Sequence, residues 1–376
     1  MSRRPILAVL ALIAVIAGCS APQAEPASSS TATVPPTLTA TLAIPTDTPT
    51  PLPDTATPTG TTTASPTATS TPSRVINLTA VGDIMLGRKV AALIQAQGPQ
   101  AVFASVQPIL DPADILVGNL ECVLSAGGTP QPKSYTLEAP PDTVKALTLA
   151  GFDLMGVANN HTMDYGPQGL ADTLNTLDQN GISHAGAGAN ASQARAAVIL
   201  ERNGLRVAFL AYVDVPVEYR GFDAHTWIAT TTRPGIAWAD LSQMRADIAA
   251  AGRQADVVVV LLHAGYEGFP SIIDEQRQEA HTAIDAGAAL VIGTHPHILQ
   301  PIEAYHGGLI AYSLGNFVFD DFKGLENASI ILRLVLDRSG VLSYDYVPVL
   351  IDNGLPRLAA EGEAPAIGTL VAPMKP

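Results

Sequence analysis

Between Val75 and Ile351, apolar runs typical of strands alternate with stretches whose apolar residues have helical spacing. Short runs rich in valine, leucine and isoleucine predict strands with both faces buried, among them VINLTAVGD, ADILVGNLE, FDLMGVANN, DVVVVLLH and AALVIGTH. Stretches with apolar residues three and four positions apart predict amphipathic helices, such as RKVAALIQAQG and GPQGLADTLNTLDQNG. Strand patterns alone follow from Leu299 onward. This alternation, closed by a run of strands, predicts one α/β domain with mixed sheets over residues 75–352.

Turn and breaker residues indicate where some of these elements end. The segment PPDTVKALTLAG has proline at its start and glycine at its end, which is typical of a helix. The segment AAVILERNGLRVAFLAY contains Asn203-Gly204, a dipeptide typical of two-residue hairpin turns. We therefore expect an antiparallel hairpin that turns at these two residues.

The first 74 residues differ in composition from the predicted domain. Residues 1–19 are typical of a secretory signal with a bacterial lipobox. They contain two arginines, a short apolar run and the motif IAGC, which ends at Cys19. Lipid attached to Cys19 would make the chain a secreted, membrane-anchored lipoprotein on the extracytoplasmic face; plain signal cleavage with an incidental cysteine is the alternative. Residues 20–74 are almost all Thr, Pro, Ser and Ala, which predicts a disordered tether. Residues 353–376 are interpreted as a C-terminal tail.

Charge and cysteine content narrow the function classes. The chain has 376 residues, a formal net charge of −14 and 2 cysteines. Because phosphate contacts need clustered Lys and Arg, and the sequence has no basic run, we expect no nucleic-acid partner. Only Cys122 remains after Cys19, so the domain has no internal disulfide and its stability must come from its core.

Polar side chains follow five of the predicted strands at their carboxyl ends. These side chains are Asp83, Glu121, Asn160 with His161, His263, and His295 with His297. In open α/β sheets, ligands bind beyond the carboxyl ends of the strands. Each residue alone also fits a turn former, a helix cap or a hydrogen-bonded core residue. Their convergence at one edge predicts a metal site.

The two histidines in GTHPH are the most specific part of this pattern. In extended backbone, His295 and His297 would point to the same side, about 7 Å apart, and Pro296 excludes a helix between them. Carboxylate, amide and imidazole ligands suit divalent Mn, Zn, Fe or Co, and there is no thiolate cluster for a cysteine-type zinc site. The number of ligands allows one ion, or two ions about 3.5–4 Å apart.

The motifs GDIMLGR, GNLE, ANNHTMDYG, LLHAGYEG, GTHPHILQPIEAY and YSLGNFVFD, in this order, are similar to those of the bacterial capsule-synthesis CapA family, which is associated with poly-γ-glutamate production. The similarity extends from Val75 to Ile351. That family resembles the calcineurin-like metallophosphoesterases. The resemblance therefore implies a four-layer αββα sandwich of the metallophosphatase type, with mixed sheets and a metal site at the sheet edges.

The resemblance also implies a role for individual residues. The metal ligands would be Asp83, Glu121 as the bridging carboxylate, Asn160, His263, His295 and His297. His161 would act as a general acid or phosphate contact, Arg88 would orient an anionic group, and Glu267 would be an acid–base partner. Asn316 of SLGNF would line the pocket. Arg88 and Glu267 also fit solvated surface charges, and Asn316 fits an ordinary turn residue.

Two departures from the metallophosphoesterase pattern bear on the activity. Those enzymes have a histidine two residues after the first aspartate, whereas Asp83 is followed by Ile84 and Met85. GNLE also stands where they have an Asp-rich second motif. We therefore expect one metal subsite to be weak or empty, so the pattern supports metal binding more strongly than standard phosphoester hydrolysis.

Three functions stay open from the sequence. The first is a metal-dependent hydrolase whose substrate is a phosphoester or an anionic envelope polymer. The second is a non-catalytic component of a membrane complex for capsule or poly-γ-glutamate synthesis, and the third is a lipoprotein that only binds. Metal content separates the first two from the third, and turnover that His295→Ala abolishes separates the first from the second.

Overall fold

The structure, a computed structural model, describes residues 74–320 and 322–374. The predicted signal peptide with Cys19, and the tether apart from Arg74, lie outside the described residues. The strands are β1 (Ile76–Ile84), β2 (Ile115–Leu120), β3 (Val123–Leu124), β4 (Glu138–Ala139), β5 (Leu154–Gly156), β6 (Ser183–Ala185), β7 (Ala187–Gly188), β8 (Val198–Arg202), β9 (Leu205–Asp214), β10 (Gly235–Ile236), β11 (Val257–Ala264), β12 (Leu290–Thr294), β13 (Leu299–Tyr305), β14 (Gly308–Leu314), β15 (Asn316–Val318), β16 (Ala328–Asp337), β17 (Gly340–Asp352) and β18 (Leu355–Leu358). The helices are α1 (Arg88–Gln97), α2 (Gln107–Leu110), α3 (Val144–Ala150), α4 (Gly166–Gln179), α5 (Ala191–Ala194), α6 (Leu241–Gly252), α7 (Asp274–Asp285) and α8 (Ala364–Leu370).

The first of two large sheets contains eight strands in the order β18-β17-β16-β1-β2-β5-β6, with β15 also paired to β1. Strands β1, β2, β5 and β6 run parallel to one another, whereas β16 pairs antiparallel with both β1 and β17, and β18 pairs antiparallel with β17. The sheet is therefore mixed, as the sequence predicts.

The second large sheet has six strands in the order β13-β14-β12-β11-β9-β8. Its four central strands are parallel, and β13 and β8 pair antiparallel at its edges. Strand β8 is joined to β9 by the predicted hairpin, in which Asn203 has φ 51° and Gly204 has φ 73°. These left-handed conformations are the ones that a two-residue hairpin turn requires.

The two sheets pack face to face, with helices outside them. Alternate residues of β11 show this: Val259 and Leu261 share a core with Leu78 of β1, while Val258 and Val260 belong to a second core with α6 and α7. A strand covered on both faces must be apolar throughout, which explains the unbroken run VVVVLL.

Helices also cover the first sheet. Buried residues Val90 of α1, Leu147 of α3 and Leu170 of α4 join the cluster that contains its strands. The α/β fold class with mixed sheets in αββα layers is confirmed.

The segment 353–376, interpreted from sequence as a tail, contributes regular structure. Strand β18 pairs with β17 through Asp352 and Leu355, and Ile367 of α8 is buried. The domain described here thus continues past residue 352. Within the described residues, no helix combines the length and the apolar character that a membrane crossing needs.

Candidate metal centre

The carboxyl ends of strands from both large sheets meet at one site. Asp83 is the penultimate residue of β1, and Glu121 directly follows β2. His263 is the penultimate residue of β11, and His295 and His297 follow β12. All five residues are at most 4% exposed. The parallel strands therefore deliver carboxylates from one sheet and imidazoles from the other into the same buried volume.

Asp83, Glu121 and His263 form the tightest group of metal-ligating atoms. One ligand atom from each lies within 4.8 Å of the other two. Burial, followed by the nearby charge of Asp83, raises the pKa of Glu121 well above its ordinary value. Glu121 Oε1 has no hydrogen-bond partner. Burying two adjacent carboxylates costs free energy unless a cation compensates their charge, so Asp83 and Glu121 favour the binding of a cation.

Asn119 lies at the base of this group, although the sequence singled out only its neighbour in GNLE, Glu121. Its amide nitrogen donates to Asp83 Oδ1 at 2.8 Å and lies 3.2 Å from His263 Nδ1. Asn159 fixes Asn119 in turn, because its amide donates to Asn119 Oδ1 and to the carbonyl of Leu120. The Asn119 amide thus orients one carboxylate ligand and contacts an imidazole, as supporting residues around metal ligands commonly do.

Asn160 and His295 both contact His263. Asn160 Oδ1 and His295 Nδ1 each lie 3.1 Å from His263 Nε2. Burial, then the neighbouring histidines, lowers the pKa of His263 well below its ordinary value, and the pKa of His295 is lowered in the same way. Both rings are therefore neutral at pH 7, which is the form that binds metals. His295 Nε2 has no hydrogen-bond partner.

The backbone around His295 and His297 differs from the predicted extended conformation. Strand β12 ends at Thr294, and the two histidines have φ values of 95° and 56°, in the left-handed region. The prediction of extended backbone here was wrong, because the chain turns away from the sheet at this point. The ring centroids are still only 6.2 Å apart. Unfavourable backbone conformations in non-glycine residues persist where the surroundings enforce them, often at functional sites.

His297 connects the carboxylate pair to Asn316. Its Nδ1 lies 2.8 Å from Asn316 Oδ1 and 3.4 Å from Asp83, and its Nε2 lies 3.5 Å from Glu121 Oε1. Burial alone would lower the pKa of His297, but hydrogen bonding to Asp83 and the charge of Asp83 raise it overall. Asn316 is thus brought to the centre, where it holds the imidazole of His297.

Close approach of two backbone segments positions Asp83 and Asn316. A Cβ atom at Gly82 would lie 1.8 Å from the carbonyl oxygen of Gly315. Only glycine fits at Gly82, and this contact allows Asp83 of β1 to pair with Asn316 of β15. The glycines in the motifs GDIMLGR and SLGNF therefore have a packing role at the metal centre.

His161 lies at the more open side of the centre and is held by Asp164. Its Nδ1 is 2.6 Å from Asp164 Oδ2, and its Nε2 is 4.0 Å from Glu121 Oε1. The carboxylate of Asp164 also accepts a hydrogen bond from the backbone N–H of Leu137. A carboxylate oxygen accepts, so the Nδ1–H of His161 donates to Asp164 and Nε2 faces the carboxylate pair. The spacing His-x-x-Asp in NNHTMD is the sequence signal for this pair.

Lys133 is a buried cation beside His161, and no sequence pattern predicted it as a residue of the site. Its Nζ lies 3.0 Å from Asp164 Oδ1 and 2.9 Å from Glu218 Oε1. The same atom lies 5.1 Å and 5.2 Å from the ring centroids of Phe222 and Trp227. Lys133 belongs to a loop without regular structure, so no hydrophobic period in the sequence marked it. It joins two loops at the wall of the centre.

Arg88 and Glu267 lie differently from the predicted ligands. Arg88 forms an ion pair with Asp320 at 2.8 Å, and its side chain is 34% exposed. Glu267 is exposed on the loop after β11, and the N–H of the next residue, Gly268, donates to the carbonyl of Pro296. The structure thus brings together the six predicted ligands and His161, and it leaves Glu267 at the rim. The catalytic roles predicted for His161, Arg88 and Glu267 stay predictions.

Comparison with known proteins identifies the family. The model of the bacterial capsule synthesis protein PGA_cap family matches residues 77–321. The PGA biosynthesis protein CapA of Bacillus subtilis (strain 168) is 35% identical over 285 residues, which are 75% of this chain and 73% of that protein. The capsule biosynthesis protein CapA of Bacillus anthracis is 36% identical over 292 residues, 75% of this chain and 69% of the relative.

Among solved structures, a hypothetical protein from Thermus thermophilus superposes with a TM-score of 0.47 at 15% identity, covering 73% of this chain and 98% of that one. The fold is defined by the strand order of the two large sheets, and the family is identified from the sequence. The resemblance predicted from the six motifs is confirmed, and the chain belongs to the bacterial capsule synthesis PGA_cap family.

Proposed function

We propose that this chain serves capsule or poly-γ-glutamate synthesis as a metal-dependent hydrolase of the phosphoesterase type. The observation that carries the proposal is the buried group of Asp83, Glu121 and His263, whose ligand atoms lie within 4.8 Å of one another. The biosynthetic context comes from the similarity to the two Bacillus proteins, which are named for capsule and PGA biosynthesis.

The residues around this group fit a divalent cation. Glu121 Oε1 and His295 Nε2 are both buried without hydrogen-bond partners, as expected of atoms that face a ligand. Asp83, Glu121 and His263 would hold one cation, and His295, His297 and Asn160 would complete the set or hold a second. Mixed oxygen and nitrogen ligands suit Mn, Zn or Fe.

A divalent cation in this group would supply Lewis-acid polarisation of a P=O or C=O bond and would lower the pKa of water. The protein's part is to fix the ligands. Asn119 holds the carboxylate of Asp83, and Asn316 holds the imidazole of His297. Ligands fixed in this way need no reorganisation when the substrate arrives.

His161, with a proton also on Nε2, is the proposed proton donor to the leaving group. Hydrogen bonding to Asp164 fixes the ring, and the side chain of His161 is 8% exposed. Lys133 neutralises the charge of Asp164 and so prevents that carboxylate from adding to the negative charge of the centre. A positioned histidine of this kind contributes about 10²–10⁴-fold to a rate.

The proposed setting is the extracytoplasmic face of a membrane, with the chain anchored through lipidated Cys19 and associated with a polymer-synthesis complex. The substrate would be an anionic envelope polymer or a phosphoester. A formal net charge of −14 repels such a substrate at long range, so the cationic metal centre would have to provide the local attraction.

Two measurements on the full purified chain test this proposal. Elemental analysis measures divalent metal per chain, and hydrolysis assays measure turnover of bis-p-nitrophenyl phosphate and of poly-γ-glutamate. We expect at least one metal per chain, which Asp83→Ala or His263→Ala removes together with the turnover. His306→Ala is the matched control, because the side chain of His306 is 66% exposed and, among the contacts described, hydrogen-bonds to Asp285 and stacks on Tyr305.

The results separate the alternatives. Metal without turnover of either substrate would favour a non-catalytic assembly component. Neither metal nor turnover would favour a lipoprotein that only binds, and would reject the proposed centre.

A further inference from the structure

A second cluster of oxygen atoms lies between the second sheet and α7, outside the metal centre. It contains the carboxylates of Asp214, the last residue of β9, and Glu279 of α7, together with the side-chain amide of Gln276. Asp214 pairs with Ala264 of β11, one residue after His263. Successive residues of a strand face opposite sides, so this cluster occupies the helix-covered face while His263 faces the other sheet.

Two buried oxygen atoms of this cluster have no hydrogen-bond donor. Gln276 is 2% exposed and Glu279 is 3% exposed, and neither Gln276 Oε1 nor Glu279 Oε2 has a partner. The amide nitrogen of Gln276 donates to Gln300 Oε1 and to the carbonyl of Tyr312, which fixes the direction of the amide. The Gln276 amide lies beside Gly265, where a Cβ atom would be 3.2 Å from Oε1, and both residues line the same cavity.

These atoms border a cavity of about 140 Å³. Its lining contains three acidic residues, Asp214, Glu275 and Glu279, and no lysine, arginine or histidine. Burial, then hydrogen bonding to Asp214, raises the pKa of Glu279 to about 10, so the Glu279 carboxyl group is protonated near neutral pH when no cation is present. Buried oxygen atoms that lack donors and surround a space with negative charge are suited to a cation.

We propose that Asp214, Gln276 and Glu279 bind a hard divalent cation of the calcium type, at a site distinct from the mixed nitrogen and oxygen centre. All the ligands are oxygen atoms, which Ca²⁺ prefers, and Ca²⁺ takes six to eight of them, so waters would complete the set. The cavity also includes Gly265, Tyr266 and Ile273, which bound the loop that follows β11. A cation there would fasten this loop, which carries Glu267, to the sheet and to α7.

The test uses the full chain, Ca²⁺ alone as the probe, and four variants. Glu279→Gln removes the charge but keeps the shape of a side chain that is protonated without cation, so the variant is expected to fold. Asp83→Ala disables the metal centre only. Glu201→Gln is the matched control, because Glu201 is an exposed acid on β8.

Equilibrium dialysis with radioactive calcium should give one Ca²⁺ per chain for the wild type, Asp83→Ala and Glu201→Gln, and none for Glu279→Gln. Saturating Ca²⁺ should raise the Tm of the wild type, Asp83→Ala and Glu201→Gln by at least about 4 °C and leave the Tm of Glu279→Gln unchanged. Asp214→Asn should repeat the result of Glu279→Gln, which guards against misfolding of a single variant.

Two outcomes would overturn the proposal. The first is no Ca²⁺ bound by the wild type. The second is Ca²⁺ lost in Asp83→Ala but retained in Glu279→Gln, which would assign the ion to the metal centre. Failure of the calcium site would leave the metal content and turnover of the centre unaffected, so the two proposals can fail separately.

Discussion

Lys133→Met removes a buried positive charge from the wall of the metal centre. The ammonium lies 3.0 Å from Asp164 Oδ1 and 2.9 Å from Glu218 Oε1, and the side chains of Lys133 and Asp164 are 0% exposed. Because removal of one partner leaves an uncompensated buried charge, we expect the free energy of unfolding to fall by about 3–5 kcal/mol. Methionine has a similar length and is apolar, so the substitution isolates the loss of charge.

Urea denaturation of the full chain, followed by circular dichroism, measures this change. Lys145→Met is the control, because Lys145 is exposed on α3, and its effect should stay within about 0.5 kcal/mol. Adding Glu218→Gln to Lys133→Met should recover part of the loss, since it removes one of the two carboxylates left without a partner. A loss for Lys133→Met no larger than the control's would refute the buried charge network.

Three further changes test other parts of the site. Asn119→Ala should weaken metal binding by about 10–100-fold in competition with a chromogenic chelator, because the Asp83 carboxylate loses its donor. His161→Ala should lower kcat for bis-p-nitrophenyl phosphate by about 10²–10⁴-fold with unchanged metal content, because the ring lies beside the ligand set. The Cys122 thiol should resist labelling by Ellman's reagent at a pH of about 8 until the chain unfolds, because burial raises its pKa to about 12.

Each of these expectations has a contrary result. Unchanged chelator competition in Asn119→Ala would remove that amide from the support of the centre. Loss of metal in His161→Ala would make this histidine a ligand rather than a proton donor. Labelling of Cys122 at the same rate in folded and urea-unfolded chains would contradict the burial of this thiol beside the backbone of Leu86.

The fold and the convergence of the ligands could be predicted because both follow from local patterns. The unbroken apolar run of β11 indicates a strand covered on both faces, and the polar residue at its end, His263, then lies at the sheet edge. The same reasoning brought Asp83, Glu121 and the two GTHPH histidines to one place. It needed only the rule that parallel strands end on the same side.

The rest of the site depends on contacts between distant loops. Lys133 reaches Asp164 and Glu218 across 31 and 85 positions of sequence, and nothing in its neighbourhood marks it as buried. The left-handed backbone of His295 and His297 also follows from tertiary packing, since neither residue type requires it. The predicted end of the domain, residue 352, is too early. Strand β18 is short and follows β17 after a turn of only two residues, so no sequence pattern marked it as a separate strand.

Anomalous diffraction from crystals grown with Mn²⁺ tests whether Asp83, Glu121 and His263 bind a divalent cation as proposed. We expect an anomalous peak about 2.0–2.2 Å from a carboxylate oxygen of Asp83 and from an imidazole nitrogen of His263. Absence of that peak from crystals soaked at saturating Mn²⁺, or a peak bonded only to residues away from the ends of β1 and β11, would contradict it.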